Sequence, residues 1–257
     1  MTDEKNLKVE KISAGSYDLN TWLHGGYEKD IITMIAGPPG SGKTNFVILA
    51  ACSQAKKGNK VIFIDTEGGF SIERVKQIVG KENTPEFLDN LLLLQPTSFE
   101  EQKKSFENLL KTLKKNHVSL IVIDGIAMLY RLELGDARSE NSNSKKNLKD
   151  EKIQKVNREV AKQMRCLAEI SRKQNIPILI TNQVYGKFVD GENWKSGFEK
   201  EMNIVGGDLF KYWSKCIIEL KKDEGKRKAV LLKHRSLAEK ELKFLIKDAG
   251  IFKDSWI

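Results

Sequence analysis

The 257-residue sequence is poor in the residue types that mark disulfide-rich, metal-binding and membrane-spanning proteins. It has three cysteines and three histidines, which form neither a C-x-x-C pair nor a mixed cluster. Its longest apolar runs fall far short of the ~20 residues that a membrane-spanning helix needs. The first residues are polar and mixed in charge, unlike a signal peptide. We therefore expect a cytoplasmic protein whose thiols are reduced and mostly buried.

Acidic residues are fewer than basic ones. Lys and Arg total 44 against 35 Asp and Glu, which gives a net charge of +9. Such an excess permits contacts with nucleic-acid phosphates, but a solvated lysine-rich surface has the same composition. Charge alone therefore favours neither interpretation.

Short apolar runs predict the strands of a mainly parallel sheet, because helical stretches separate most of them. The runs lie at 31–36, 61–65, 91–94, 120–124 and 178–181. Three later runs, at 216–220, 229–233 and 240–246, predict antiparallel strands that extend this sheet. The predicted fold is one α/β domain over 1–257 with a short N-terminal tail at 1–12.

The segments between these runs predict helices and two loops. Helical spacing of apolar residues or a capping box predicts helices near 43–57, 98–115 and 152–174. Two polar segments, 134–151 and 186–207, predict mobile loops. Each follows a strand that ends in polar residues, so both are expected close to a functional site.

The stretch 35–44, IAGPPGSGKT, contains the phosphate-binding pattern G-x-x-x-x-G-K-[ST]. It lies between a predicted strand and a predicted helix, where loop amides and the positive end of the helix face an anion. Lys43 would reach the β- and γ-phosphates of ATP, and the hydroxyl of Thr44 would bind Mg²⁺. The predicted nucleotide contacts are Gly37, Pro38, Pro39, Gly40, Ser41, Gly42, Lys43, Thr44 and Asn45.

Three carboxylates follow neighbouring predicted strands, where ligand clefts form in open α/β sheets. Asp124 ends the run LIVID and is expected to touch the magnesium shell, the alternative being a cap of the next turn. Glu67, in DTEGGF, is the candidate general base that orients water towards the γ-phosphate, the alternative being a surface carboxylate. Asp65 is a candidate for ordering the turn before Glu67.

The run ILITNQV also ends in polar groups. Thr181, Asn182 and Gln183 could sense the γ-phosphate and transmit its presence to the following loop, with Gln183 as the catalytic candidate. A simple strand-end cap is the alternative.

In this order, the P-loop, DTEGGF, LIVIDGI and TNQV resemble the RecA-like recombinases. The opening ISAGSYDLNTWLHGGYEKDIITMIAGPPGSGKT is similar to the start of their archaeal core, and the likeness extends from about residue 12 to the C-terminus. The resemblance implies a RecA-like P-loop NTPase core that binds ATP, Mg²⁺ and DNA. A KaiC-like hexameric signalling ATPase shares this core and remains an alternative.

The terminal LLKHRSLAEKELKFLIKDAGI is more similar to short paralogues of the archaeal recombinase RadA than to the recombinase. Only about a dozen residues precede the core, which leaves no space for a helix-hairpin-helix domain, and no F-x-x-A tether is present. The resemblance therefore implies an accessory protein with weak ATPase activity that assists a RadA-type recombinase, and a homo-oligomer without long self-filaments. A non-hydrolysing mediator is the other alternative.

The resemblance also assigns the two polar segments as DNA-binding loops, with lysines for phosphates and aromatics for stacking on unpaired, single-stranded bases. The candidates are Lys145, Lys146, Lys187, Phe188, Trp194 and Lys195. It further suggests that Lys233 and Arg235 act in trans on a neighbour's nucleotide, the alternative being solvated charges beside an edge strand.

Overall fold

A computed structural model of the chain describes residues 9–139, 146–185, 203–223 and 225–254. The strands are β1 (Lys11–Ile12), β2 (Tyr27–Glu28), β3 (Ile32–Gly37), β4 (Lys60–Asp65), β5 (Leu91–Leu94), β6 (Val118–Asp124), β7 (Ile178–Tyr185), β8 (Asn203–Ile204), β9 (Cys216–Asp223), β10 (Lys226–Lys233), β11 (Lys240–Lys247) and β12 (Gly250–Lys253). The helices are α1 (Tyr17–Trp22), α2 (Lys43–Ala55), α3 (Ile72–Val79), α4 (Thr84–Asp89), α5 (Phe99–Lys115), α6 (Met128–Ser139), α7 (Lys146–Gln174) and α8 (Asp208–Trp213).

One sheet organises the described residues. Its strand order is β12-β11-β10-β9-β3-β7-β6-β4-β5, with β8 paired to β7 off this path. The strands from β9 to β5 run parallel, and β10, β11 and β12 continue the sheet antiparallel. The predicted antiparallel extension therefore begins one strand later than expected, because β9 pairs parallel with β3.

The central strands of the sheet are buried on both faces, which explains why they read as uninterrupted apolar runs. In β4, Val61 and Phe63 pack beneath the α2 side, whereas Ile62 and Ile64 pack beneath α5, α6 and α7. Side chains alternate between faces with a period of two, so every residue of these strands meets a helix or another strand. This packing fixes the carboxyl ends of β3, β4, β6 and β7 along one edge.

The sequence predicts one loop over 134–151, but helices occupy both ends of this segment. Helix α6 continues through Ser139 and α7 starts at Lys146. Within this segment, residues 140–145 are the ones that lie outside the described part. The apolar spacing that predicts a helix starts only near residue 152, where α7 packs on the sheet. None of the helices in the described part is long and apolar enough to cross a membrane.

Candidate active site

The glycine-rich loop connects the end of β3 to the start of α2. Lys43, the first residue of α2, folds back and donates hydrogen bonds from Nζ to the carbonyl oxygens of Gly37 (3.0 Å) and Pro38 (3.1 Å). Its side chain is largely buried, and burial lowers the pKa of the ammonium, although the charges of Glu67 and Asp124 oppose that shift. Its hydrogen-bond partners in the described part of the chain are neutral carbonyls, so the desolvated ammonium can bind an anion.

Two glycines of the loop are required by close contacts with the C-terminal strands. Gly42 has a φ of 108°, and a Cβ there would lie 2.7 Å from Cδ1 of Ile246 in β11. A Cβ at Gly37 would lie 2.7 Å from the carbonyl oxygen of Leu220 in β9. Strands β9 and β11 therefore form one wall of the loop.

Thr44 and Asp124 meet across the edge of the sheet, as their predicted magnesium roles require. The hydroxyl of Thr44 donates to Oδ2 of Asp124 at 2.8 Å, and the hydroxyl of Thr181 donates to Oδ1 at 2.5 Å. Burial raises the pKa of Asp124 to about 6, the two threonine hydrogen bonds lower it, and the charges of Asp65 and Glu67 raise it further. A buried carboxylate with this pKa is prepared for a positive partner.

Glu67 and Gln183 form the second pair of the site. The side-chain amide of Gln183 donates to Oε1 of Glu67 at 3.1 Å. Glu67 has space because residue 125 is glycine: a Cβ there would lie 2.5 Å from Cγ of Glu67. A small cavity of about 10 Å³, close to the volume that one water molecule needs, adjoins both side chains. Glu67 and Gln183 therefore present a carboxylate and an amide at this cavity.

Asp65 orders the turn that carries Glu67, as predicted. Its carboxylate accepts hydrogen bonds from the backbone amides of Glu67 (3.3 Å), Gly69 (3.1 Å) and Phe70 (2.9 Å). These bonds consume both oxygens, so Asp65 acts through the turn and leaves Glu67 as the exposed carboxylate.

The three polar residues at the end of β7 have separate partners. Thr181 also accepts a hydrogen bond from the amide of Gly125 at 2.8 Å, so it positions Asp124 and the chain after β6. Asn182 donates to the carbonyl of Val205 at 2.9 Å. Gln183 is the member of this group that reaches Glu67, and its catalytic role stays a prediction.

Arg74 of α3 is a site residue that sequence reasoning missed. Its guanidinium donates to Oδ1 of Asn45 (2.7 Å) and to the carbonyl oxygens of Lys247 (2.9 Å) and Asp248 (3.0 Å). Arg74 thus ties the helix of the phosphate loop to the turn between β11 and β12. No local pattern indicates this role, because two of its partners are backbone atoms more than 170 positions away.

Lys233 and Arg235 lie at the opposite end of the sheet, since β10 runs antiparallel to β9 and β3. The ammonium of Lys233 donates to the carbonyl of Lys211 at 3.1 Å. Arg235 pairs with the carboxylates of Glu28 and Asp30. Action in trans stays a prediction, and for Arg235 it would require these ion pairs to break.

The side chains predicted to contact DNA do not belong to the described part of the structure. Residues 145, 187, 188, 194 and 195 lie outside the described residues, and the same holds for the side chain of Lys146. Their predicted role therefore stays a prediction.

Comparison with known proteins decides the family of this ATPase-like site. The family model described as Rad51 matches residues 5–254. The chain belongs to the Rad51 family. Its RecA-like fold, predicted from the order of the motifs, is thereby confirmed.

Curated relatives in this family have about the same length as the chain. A protein of Methanobrevibacter smithii is 39% identical and the match covers 96% of this chain and 97% of the relative. One from Methanococcus maripaludis is 43% identical, with 91% and 96% covered. Another, from Methanocaldococcus jannaschii, is 40% identical, with 89% and 96% covered. Each is called DNA repair and recombination protein RadB. Rad51 membership favours the recombination hypothesis over the KaiC-like one.

Proposed function

We propose that this Rad51-family protein is an ATP- and DNA-binding accessory protein of homologous recombination and DNA repair, with weak Mg²⁺-dependent ATPase activity. One observation carries the ATPase part: the Thr44–Asp124 hydrogen bond and the Glu67–Gln183 hydrogen bond lie on the sheet edge that also carries Lys43. A charge to hold phosphate, a hydroxyl–carboxylate pair and a base–amide pair are the groups that phosphoryl transfer to water uses.

Mg²⁺ fits the residues that are present. Thr44 and Asp124 would hold it, because hydroxyl and carboxylate oxygens together with phosphate oxygens suit this ion. When bound, it would neutralise charge on the phosphates. Proton loss from Asp124 precedes metal binding, so its raised pKa makes this site more receptive as the pH rises through about 6.

The remaining groups would act on ATP and water. Lys43 would exchange its carbonyl partners for the β- and γ-phosphate oxygens, and Glu67 would orient the attacking water and accept its proton. Gln183 would move its amide from Glu67 to the γ-phosphate, so that nucleotide binding frees the base and reports to the loop after β7. This exchange makes ATP binding a switch as well as the first step of hydrolysis.

The recombination part rests on the named relatives and on charge. Relatives that match nearly the whole chain are named as recombination and repair proteins. The net charge of +9 suits binding to the phosphates of DNA, here proposed as single-stranded. A RadA-type recombinase is the proposed protein partner, which this protein would load or regulate.

Two enzyme assays and one binding assay test the proposal. ATP turnover should fall at least ~100-fold in Lys43→Ala and in Glu67→Gln relative to wild type, because each change removes a group that stabilises or drives the transition state. Equal rates in all three proteins would contradict the ATPase and favour a non-hydrolysing mediator. Binding to fluorescent single-stranded DNA should be tight at low salt and weaken with added salt; no binding at low salt would contradict the DNA role.

A further inference from the structure

The exposed face of α7 carries four cations in a line. Lys155, Arg158, Lys162 and Arg165 recur at intervals of three, four and three residues, and all four are exposed. They therefore share one side of the helix and span about 15 Å. The opposite side packs on the sheet through Val156, Val160, Met164, Leu167 and Ile170. We call these four residues the basic stripe.

The middle of α7 is mostly basic. Residues 152–166 contain five basic residues and one acidic residue, Glu159, while Glu151 and Glu169 lie on either side of this stretch. Glu159 lies 3.7 Å from the ammonium of Lys162, whose side chain is nonetheless 75% exposed. Helix α5 carries five lysines as well, but three glutamates lie among them. The basic excess is therefore a property of α7 and not of every surface helix.

The basic stripe contains three pairs of like-charged neighbours, while two acidic residues, Glu159 and Glu169, lie near Lys162 and Arg165. Each neighbouring pair within it has the i,i+3 or i,i+4 spacing at which like charges destabilise a helix. Arg158 donates to Oε1 of Gln154 at 3.5 Å, a contact that neutralises no charge. An external polyanion would relieve the repulsion and release counterions.

The proposed function names DNA as the polyanion. The stripe is exposed along the helix, so a phosphate backbone can reach all four cations. We propose that the basic stripe is a DNA-binding surface that contacts the phosphate backbone beyond the two predicted loops, an inference that rests on the proposed DNA-binding function. Arginine can grip a phosphate with two hydrogen bonds and lysine supplies a point charge, so the contacts are independent of sequence.

The test compares two variants that remove equal charge. One carries K155Q, R158Q, K162Q and R165Q, and the matched control carries K104Q, K111Q, K114Q and K115Q on the exposed face of α5. Binding to a fluorescent single-stranded oligonucleotide is measured in a salt series. The stripe variant should lose about three units from the slope of log K against log salt, because each phosphate contact contributes about 0.7. The control should keep the wild-type slope within about half a unit.

Each other outcome has a defined meaning. A stripe variant with the wild-type slope, or two variants with equal losses, would overturn this inference while leaving the proposed function intact. A wild-type protein that binds no DNA at low salt would overturn both. If the stripe variant keeps its DNA slope but no longer retains a RadA-type recombinase in a pull-down, the surface binds protein instead.

A charge-preserving variant separates binding from folding. The change K155R, R158K, K162R and R165K keeps all four charges and should restore a slope within about one unit of wild type. The glutamine variant should melt no lower than wild type, since it removes like-charge neighbours. A slope lost in both variants would contradict a role of charge at the stripe.

Discussion

The charged groups at the two ends of the sheet have different kinds of partners. At the carboxyl end of β3, the hydrogen-bond partners within the described residues are carbonyls for the ammonium of Lys43 and hydroxyls for the buried Asp124. At the other end, buried Glu28 and half-exposed Asp30 are ion-paired by Arg235. Charges left with neutral partners are available to a ligand, whereas paired charges are already used by the fold.

A histidine at the paired end illustrates the difference. His234 is buried beside Glu28, and its Nδ1 accepts hydrogen bonds from the amides of Ser236 and Leu237, both at 3.1 Å. An accepting Nδ1 carries no proton, so the ring is neutral, and burial lowers its pKa in agreement. The charges of this cluster are therefore paired within the fold, in contrast to those beside the phosphate-binding loop.

The largest effect is expected when a methyl group replaces the hydroxyl of Thr44 beside the phosphate-binding loop. Thr44→Val removes the hydroxyl that contacts Asp124 and should lower Mg²⁺-dependent ATP turnover by ~10²- to 10³-fold. Thr33→Val, the same exchange at the start of β3, should leave turnover within about twofold. Steady-state phosphate release measures both; equal losses would show that the site does not depend on Thr44.

The paired end should respond in stability instead. Arg235→Ala leaves the buried carboxylate of Glu28 without its closest partner and should lower the free energy of unfolding by about 3 kcal/mol. Lys233→Ala, two positions earlier, should cost less than about 1 kcal/mol, since its ammonium contacts one exposed carbonyl. Urea unfolding measures both. Equal costs would contradict the contrast between the ends.

A third prediction uses pH to isolate Asp124. Its pKa is raised in the folded chain, so it stabilises the fold fully below the unfolded value of 3.8, and this contribution is lost as the pH rises through about 6. Relative to Asp124→Asn, wild type should therefore lose on the order of 2 kcal/mol between pH 4 and pH 7. Urea unfolding at both pH values measures the difference; parallel pH profiles would contradict it.

The smallest effect is expected at an exposed ion pair outside both ends. Lys228 and Glu241 lie 2.7 Å apart on β10 and β11, and both side chains are partly exposed. Lys228→Ala should change the free energy of unfolding by less than about 1 kcal/mol. A cost comparable to that of Arg235→Ala would show that burial does not separate the two kinds of pair.

The sequence predicted the parts of the fold that repeat a simple pattern. Strands buried on both faces, such as Ile32–Gly37, appear as apolar runs, and the P-loop glycines appear by spacing. The sequence predicts a loop over 134–151, although the end of α6 and the start of α7 lie there, because these helix ends are polar and lack apolar periodicity. The contacts of Arg74 with Asp248 and of Glu28 with Arg235 join residues more than 170 positions apart. No local sequence pattern can indicate contacts over such a separation.

The central claim, an ATP-switched accessory of recombination, is tested most directly by one mixing experiment. Assembly of a RadA-type recombinase on single-stranded DNA is followed with ATP, in the presence of wild type or Lys43→Ala. The account predicts that wild type changes the rate of filament assembly at least about threefold and that Lys43→Ala does not. An assembly rate that neither protein changes, or that both change equally, would contradict it.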